Sequence, residues 1–295
     1  MFMESHIIDL DECVINALHF LVNEKLPKIK IKRYKQILAV GSENAYITAK
    51  ILFPDAIFAN ESNFHEKLKK MHRGDLCVLV SASGGKHAPM IAKDAKRKGM
   101  HVLLITNNSD ALAKPFAHDV LVFDKIEEPY TYNVSTYLGM MLSRTNEKPM
   151  DILKFLKGIR DKIPQDLANY DSFFFIIPEQ FEVMKDMITT KFDELFGSKV
   201  SARVFTFEQA KHAKTVVPNE KELFISLGVT NNLFGRNRLN FDIPKNANYV
   251  FFMALAYFIV GYIQKQNPPY FRENIERYAE ETSRVFGQKI DSRFK

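Results

Sequence analysis

Asp75-Leu76-Cys77-Val78-Leu79-Val80-Ser81-Ala82-Ser83-Gly84-Gly85-Lys86 opens the stretch, running on to Phe123, whose reading decides the fold. An apolar strand, Leu76 to Val80, turns through a serine-glycine loop into a basic helix that ends at Lys98-Gly99, and Val102 to Thr106 is the next strand. Unbroken apolar strands alternating with helices indicate a parallel sheet covered on both faces, with ligands taken beyond the carboxyl ends of its strands. The loop Ser81 to Lys86 lies at such an end, and it reads as a phosphate site for a small molecule. Serine hydroxyls and loop amides ahead of a helix amino terminus donate several hydrogen bonds to phosphate oxygens, and the helix dipole assists. The plain alternative is that Ser81 and Ser83 only cap backbone groups at a strand-to-helix turn.

Outward from this stretch the same pattern repeats. Ile37 to Val40 predicts a short strand running into Gly41-Ser42-Glu43-Asn44 and then a helix reaching Phe53-Pro54. Ala56 to Ala59 and Val120 to Phe123 complete a five-stranded, doubly wound half. Before it, Leu10, Val14, Leu18, Leu21 and Val22 share one helical face that Pro27 ends. After it, a charged segment from Met150 to Tyr170 with Gly158 and Pro164 marks a lobe boundary. Alternation then resumes with strand Phe173 to Ile177, a helix from about Glu179 to Phe196, and strands Val200 to Phe205 and Leu223 to Leu227. The expected class is α/β, two doubly wound parallel-sheet lobes of flavodoxin-like, three-layer αβα form. The expected division is an amino-terminal helix at 1–30, lobe one at 31–150, lobe two at 151–265 and a closing tail at 266–295.

Composition narrows the partners. The chain has 295 residues, 46% hydrophobic, enough for one large or two ordinary cores. A net charge of +6 favours anionic ligands, yet the basic residues are interspersed with acids. Basic runs such as Lys28 to Arg33 and Lys93 to Lys98 lack interleaved aromatics, so they read as solvated faces and not as a nucleic-acid surface. Two cysteines, Cys13 and Cys77, suggest no disulfide framework and a reducing cytoplasm. The amino terminus lacks the pattern of a secretory leader, and the apolar stretch Tyr249 to Ile263 is shorter than the roughly 20 residues that span a bilayer. A soluble protein with a buried helix at that point is expected.

The order of these motifs resembles the sugar isomerase (SIS) domain family, in its tandem double-domain form acting on phosphosugars. Gly41-Ser42 is similar to the family's first glycine-serine turn, and Asn60-Glu61-Ser62-Asn63-Phe64 to its acidic-aromatic segment after the second strand. Ser81-Ala82-Ser83-Gly84 resembles its phosphate loop, and Ile105 to Asn108 the strand end that follows. Glu127 through Val134-Ser135-Thr136 resembles the opening of the lobe's last helix, and Pro269, Arg272 and Asn274 the tail that closes over the sugar. The resemblance implies phosphate binding by Gly41, Ser42, Ser81, Ser83, Gly84, Ser135 and Thr136. Lys86 stands where the family usually has threonine, and it either pairs with the phosphate or remains a solvated loop residue.

The run Lys191 to Val200, followed by His212 eighteen residues after Glu194, resembles the second-lobe signature of ketose-aldose isomerases and related deglycases. It implies Glu194 as the base at carbon, through an enediol, and His212 as the group that assists ring opening. The family's histidine-glycine-proline reads His212-Ala213-Lys214 here, and on an alternative sixteen-residue register Phe196 stands where glutamate would be. The chemistry requires no cofactor, and no ligand spacing suggests a metal. Three functions stay open: an isomerase of a hexose or amino-hexose phosphate, a fructosamine-phosphate deglycase, and a non-catalytic sugar-phosphate sensor. The resemblance further implies a homodimer with its site at the subunit interface, with His212 acting in its own chain or in the neighbour's cleft.

Overall fold

In the computed structural model, which describes residues 7–30, 33–287 and 289–290, the chain forms two compact units. Positions 31 and 32 of the basic run, and the last five residues with Lys295, lie outside the described residues. The first unit holds residues 23–126 and 133–146; the second holds the chain up to Val22, Glu127–Tyr132 and Glu147 onward. In chain order the elements are α1 (Leu10–Asn23), β1 (Ile37–Val40), α2 (Asn44–Leu52), β2 (Ile57–Ala59), α3 (Phe64–Lys69), β3 (Leu76–Val80), α4 (Ala88–Arg97), β4 (His101–Thr106), β5 (Asp119–Val122) and α5 (Val134–Leu142). They continue as α6 (Pro149–Ile159), β6 (Ser172–Ile177), α7 (Lys185–Phe196), β7 (Ser201–Thr206), α8 (Phe207–Ala210), β8 (Glu222–Leu227), β9 (Asn237–Phe241), α9 (Tyr249–Gln266) and α10 (Tyr270–Phe286).

The first unit carries a parallel sheet of order β2-β1-β3-β4-β5, with Leu38 opposite both Ile57 and Cys77. Strand alternation sends Leu38, Val40, Cys77, Leu79, Val102 and Leu104 to one face, where Phe64 of α3 and Ile91, Ala92 and Ala95 of α4 cover them. The intervening Ala39, Val78 and Ile105 are also fully buried or nearly so, on the side of α2. Burial on both faces is why these strands read as continuous apolar runs. The order reverses between β1 and β3, which makes the crevice beyond their carboxyl ends the switch point where open α/β sheets take ligands.

The second unit carries a parallel sheet of order β7-β6-β8-β9. Its central strand β6 buries Phe173 to Ile177 completely. Phe173 and Phe175 face α7, each ring centroid 5.7 Å from that of Phe192. Phe174 and Ile176 face the other way, into a cluster with Ala210 of α8, Phe224 and Phe234. The α/β class expected from the sequence, two doubly wound parallel-sheet lobes, is the one the chain forms. Two details differ. The helix expected from Glu179 begins as a 3-10 segment, Glu179–Met184, before α7. The edge strand β9 was not expected, because Asn237-Arg238-Leu239-Asn240-Phe241 contacts β8 on one side only and keeps few apolar residues.

The apolar stretch at 249–263 lies within α9, which is buried from Val250 to Gln264. A helix apolar on all sides belongs inside a core, and among the described residues no helix is long and apolar enough to cross a membrane. At Gly261 a Cβ would stand 2.0 Å from the backbone nitrogen of Asp11 in α1. The close approach of α1 to α9 therefore depends on glycine. Gly261→Ala is expected to cost about 1–3 kcal/mol through overpacking, read as a lower urea midpoint at unchanged slope.

Candidate functional site

At the carboxyl ends of the first sheet, the loops are tied to one another before any ligand arrives. Gly84 N–H donates to Ser81 Oγ (3.2 Å) and Gly85 N–H to Ser83 Oγ (3.3 Å). Thr106 Oγ1 at the end of β4 donates to Ala82 O (2.8 Å), and Asn108 Nδ2 donates to Ser83 O (3.0 Å). Gly84 has φ +61°, and a Cβ there would meet the Ala111 side chain at 2.4 Å, so only glycine lets the loop close this tightly. The capping role of Ser81 and Ser83 is thus present. In these bonds both hydroxyls accept, so neither spends its own proton there, and that proton can be donated to an anion.

The remaining phosphate-site candidates differ in placement. Gly41 follows β1 and its N–H donates to Ala59 O (3.2 Å). Ser42 Oγ donates to Glu61 Oε2 at 2.6 Å. Lys86 is exposed, with φ +50°, and partial desolvation lowers its ammonium below the ordinary lysine value. Ser135 and Thr136 are completely buried. Ser135 Oγ accepts from Ile126 N–H (3.3 Å), and Thr136 Oγ1 accepts from Asn107 Nδ2. Both serve as braces behind the loops. Left-handed backbone at Glu43, Lys86 and Asn133 concentrates strain in these same connections, a pattern common where backbone is shaped for binding.

In the second unit, Glu194 sits in the last turn of α7 with a quarter of its side chain exposed. Lys191, one turn earlier, is wholly buried and holds the carboxylate at 2.5 Å. Its Nζ also donates to Thr131 O (2.9 Å) and Tyr132 O (3.3 Å), between the rings of Tyr132 and Tyr257. A buried ammonium is tolerated because acceptors surround it. Close by, Cys13 Sγ donates to buried Glu128 (3.3 Å), and burial pushes that thiol well up. Tyr130 is raised to about 12, first by burial, then by Tyr278 and Glu194, so its phenol keeps its proton. The sequence assigned no role to Lys191, Glu128 or Tyr130. One signal was available: Lys191 falls between Ile188, Phe192 and Leu195 on the buried stripe of α7.

His212 lies elsewhere. It is exposed in the turn after α8, its N–H donating to Gln209 O (3.0 Å). Glu194 belongs to α7, on the Phe173 and Phe175 face of the second sheet, while α8 packs on the Phe174 and Ile176 face. Within one chain the sheet stands between the two residues, and the structure does not bring them together. Ala213, where the family pattern has glycine, retains a left-handed backbone at φ 57°. Ala213→Gly is therefore expected to raise stability by about 1 kcal/mol, measurable as a higher melting temperature.

In the tail, Arg272 pairs with Asp9 at 2.7 Å, and Asn274 Nδ2 donates to Tyr270 O (2.8 Å). These residues lie in the first turns of α10, beside a small cavity lined by Asp9, Phe196, Gln264 and Lys265.

No protein-family model matches the sequence, and no curated protein matches it. Solved structures do match the fold. Glucosamine-6-phosphate deaminase from Thermotoga maritima aligns over 88% of this chain and 94% of its own at 15% identity, TM-score 0.62. Tagatose-6-phosphate ketose/aldose isomerase from Escherichia coli aligns over 88% and 89% at 12% identity, TM-score 0.59. The C-terminal domain of glucosamine-fructose-6-phosphate aminotransferase from Francisella tularensis aligns over 87% and 92% at 14% identity, TM-score 0.55. The chain thus has the two-lobed fold of phosphosugar isomerase structures, as the resemblance in its motifs implied.

Proposed function

We propose that this chain is a phosphosugar isomerase, interconverting the aldose and ketose forms of a hexose or amino-hexose phosphate through an enediol or enediolamine. The observation that carries the reading is Glu194, a partly exposed carboxylate fixed by a wholly buried lysine in a lobe of phosphosugar-isomerase fold. A base that moves a proton between adjacent carbons must be held in one place, and the carbonyls of Thr131 and Tyr132 hold Lys191 Nζ, which in turn fixes the Glu194 carboxylate. The sugar's phosphate is held by Ser81, Ser83 and Lys86, with Gly41 and Gly84 giving the loops their shape and Ser135 and Thr136 bracing them. Glu194 transfers the proton at carbon, and His212 assists ring opening.

Because the second sheet separates Glu194 from His212 within a chain, the working form in this reading is a homodimer in which His212 comes from the second copy. Two buried cysteines suit a reducing cytoplasm for it. The experiment is a turnover assay by NMR on hexose, amino-hexose and fructosamine 6-phosphates, followed by mixing two inactive variants, Glu194→Gln and His212→Ala. In a two-fold dimer with shared sites, random reassortment restores about a quarter of the wild-type sites. Recovery supports the shared site, and no recovery rejects it. Release of an amine from fructosamine phosphate would identify a deglycase. Stabilisation by these ligands without turnover would identify a sensor.

A further inference from the structure

Basic residues of the first unit gather at the amino-terminal ends of its strands, the rim opposite the serine-glycine loop. Three stretches far apart in sequence meet there: Arg33 to Gln36 before β1, His72 to Asp75 before β3, and Lys96 to Met100 before β4. Main-chain bonds tie them together, Leu76 N–H donating to Gln36 O (3.1 Å), Gly74 N–H to Gly99 O (2.9 Å) and His101 N–H to Asp75 O (2.8 Å). Arg73 lies across Gly99, where a Cβ would stand 2.8 Å from its Cγ. The rings of Tyr34 and His101 are 5.9 Å apart, and His101 stacks at 4.6 Å on His118, the residue before β5. Taken singly, each basic run reads as a solvated face; the fold makes one surface of them.

Arg33, Lys35, Lys69, Arg73, Lys96 and Lys98 are exposed on or beside this rim, and none has an acidic partner among the described residues. The acids nearby are engaged already. Glu66 pairs with Lys67 and Lys70, Asp94 with His65 and Arg97, Asp119 with His101, and buried Asp75 accepts from His72 N–H. Asp55, exposed before β2, bounds the rim on that side. Neighbouring strands lie about 4.8 Å apart, so the starts of β1, β3, β4 and β5 span roughly 14 Å. Cations held this closely repel one another, and a partner with repeated negative charge relieves the repulsion. None of the large apolar side chains exposed among the described residues belongs to this rim. A protein partner requires apolar anchors, and a membrane an apolar insertion beside the charge. A phosphodiester backbone needs neither, because cations meet its phosphates directly and the interface stays polar. We infer that this rim binds the phosphate backbone of a nucleic acid without reading its sequence. The surface lies at the other end of the strands from Ser81 to Lys86, so it stands or falls independently of the phosphosugar reading.

Fluorescence anisotropy of the full chain with a DNA duplex of about 20 base pairs, and with the matching RNA duplex, tests this across a salt series. Contact with about five phosphates predicts a slope of log K against log salt near −4.5, a loss of several hundred-fold between about 50 and 200 mM salt. Duplexes of unrelated sequence are expected to bind equally. The triple variant Lys69→Ala, Lys96→Ala, Lys98→Ala is expected to lower the steepness of that slope by about three. Lys154→Ala, Lys157→Ala, Lys199→Ala removes the same charge from exposed positions of the second unit and is expected to leave binding unchanged. The salt slope of the unaltered protein stands even if a variant fails to fold. Absence of binding at about 50 mM salt, or equal effects of the two triple variants, overturns the inference. Equally tight binding of polyglutamate, or of phosphatidylcholine vesicles with about one-third phosphatidylserine, also overturns it, in favour of an acidic protein or a membrane surface.

Discussion

Glu194→Gln is expected to lower the proposed turnover of a hexose phosphate by about 100- to 10,000-fold, the range that loss of a positioned general base produces. The substitution is nearly isosteric, and Lys191 Nζ, now 2.5 Å from the Glu194 carboxylate, can donate to the amide oxygen in its place. The buried lysine therefore keeps an acceptor and the fold stays intact. What is lost is the group proposed to take a proton from carbon. The proposed phosphate site is built from loops of the other lobe, so the thermal shift given by the ligand is expected to remain. NMR-detected kinetics on wild type and variant decide the matter: equal kcat values remove Glu194 from the chemistry and with it the proposed mechanism.

Lys191→Met is expected to cost about 3–5 kcal/mol of stability, the range for removing one partner of a buried ion pair. Methionine fills much the same volume, so the effect is electrostatic. Glu194 loses its cation, and the carbonyls of Thr131 and Tyr132 lose the ammonium that joins them to α7. The double variant Lys191→Met with Glu194→Gln is expected to recover part of the loss, because the uncompensated charge is gone; the coupling measures the pair. Urea unfolding of the four proteins gives every number needed. A loss below about 1 kcal/mol in the single variant would mean that the buried pair does not hold in solution.

Residue patterns revealed the first lobe well because its central strands β1, β3 and β4 are buried on both faces, and β1 and β3 end in turns of small residues. Leu76–Val80 followed by Ser81-Ala82-Ser83-Gly84 has few other readings. The second lobe was less legible where its sheet thins: β9 pairs on one side only and alternates polar with apolar residues. Site residues divide along the same physical line. Local motifs located the loops, but whether a hydroxyl donates or accepts depends on its partner, and Glu61, Gly84 and Ile126 are partners that no spacing identifies. The separation of eighteen residues between Glu194 and His212 was visible, yet it carries no information on which side of β7 each would lie.

The segment Glu127–Tyr132 belongs with the second unit although the chain on either side of it belongs with the first, and α1 likewise precedes the first unit yet lies almost wholly in the second. Such a chain has the look of two successive modules without being modular. Recombination that exchanged either lobe as a single cassette would take with it, or leave behind, a piece of the other. Thr131 and Tyr132, which hold Lys191 in place, are encoded inside the stretch that specifies the opposite lobe. Inheritance of the Lys191–Glu194 pair with its carbonyl partners is thereby linked to inheritance of the chain that encodes the serine-glycine loops, and a contiguous exchange of that lobe would carry Thr131 and Tyr132 along with it.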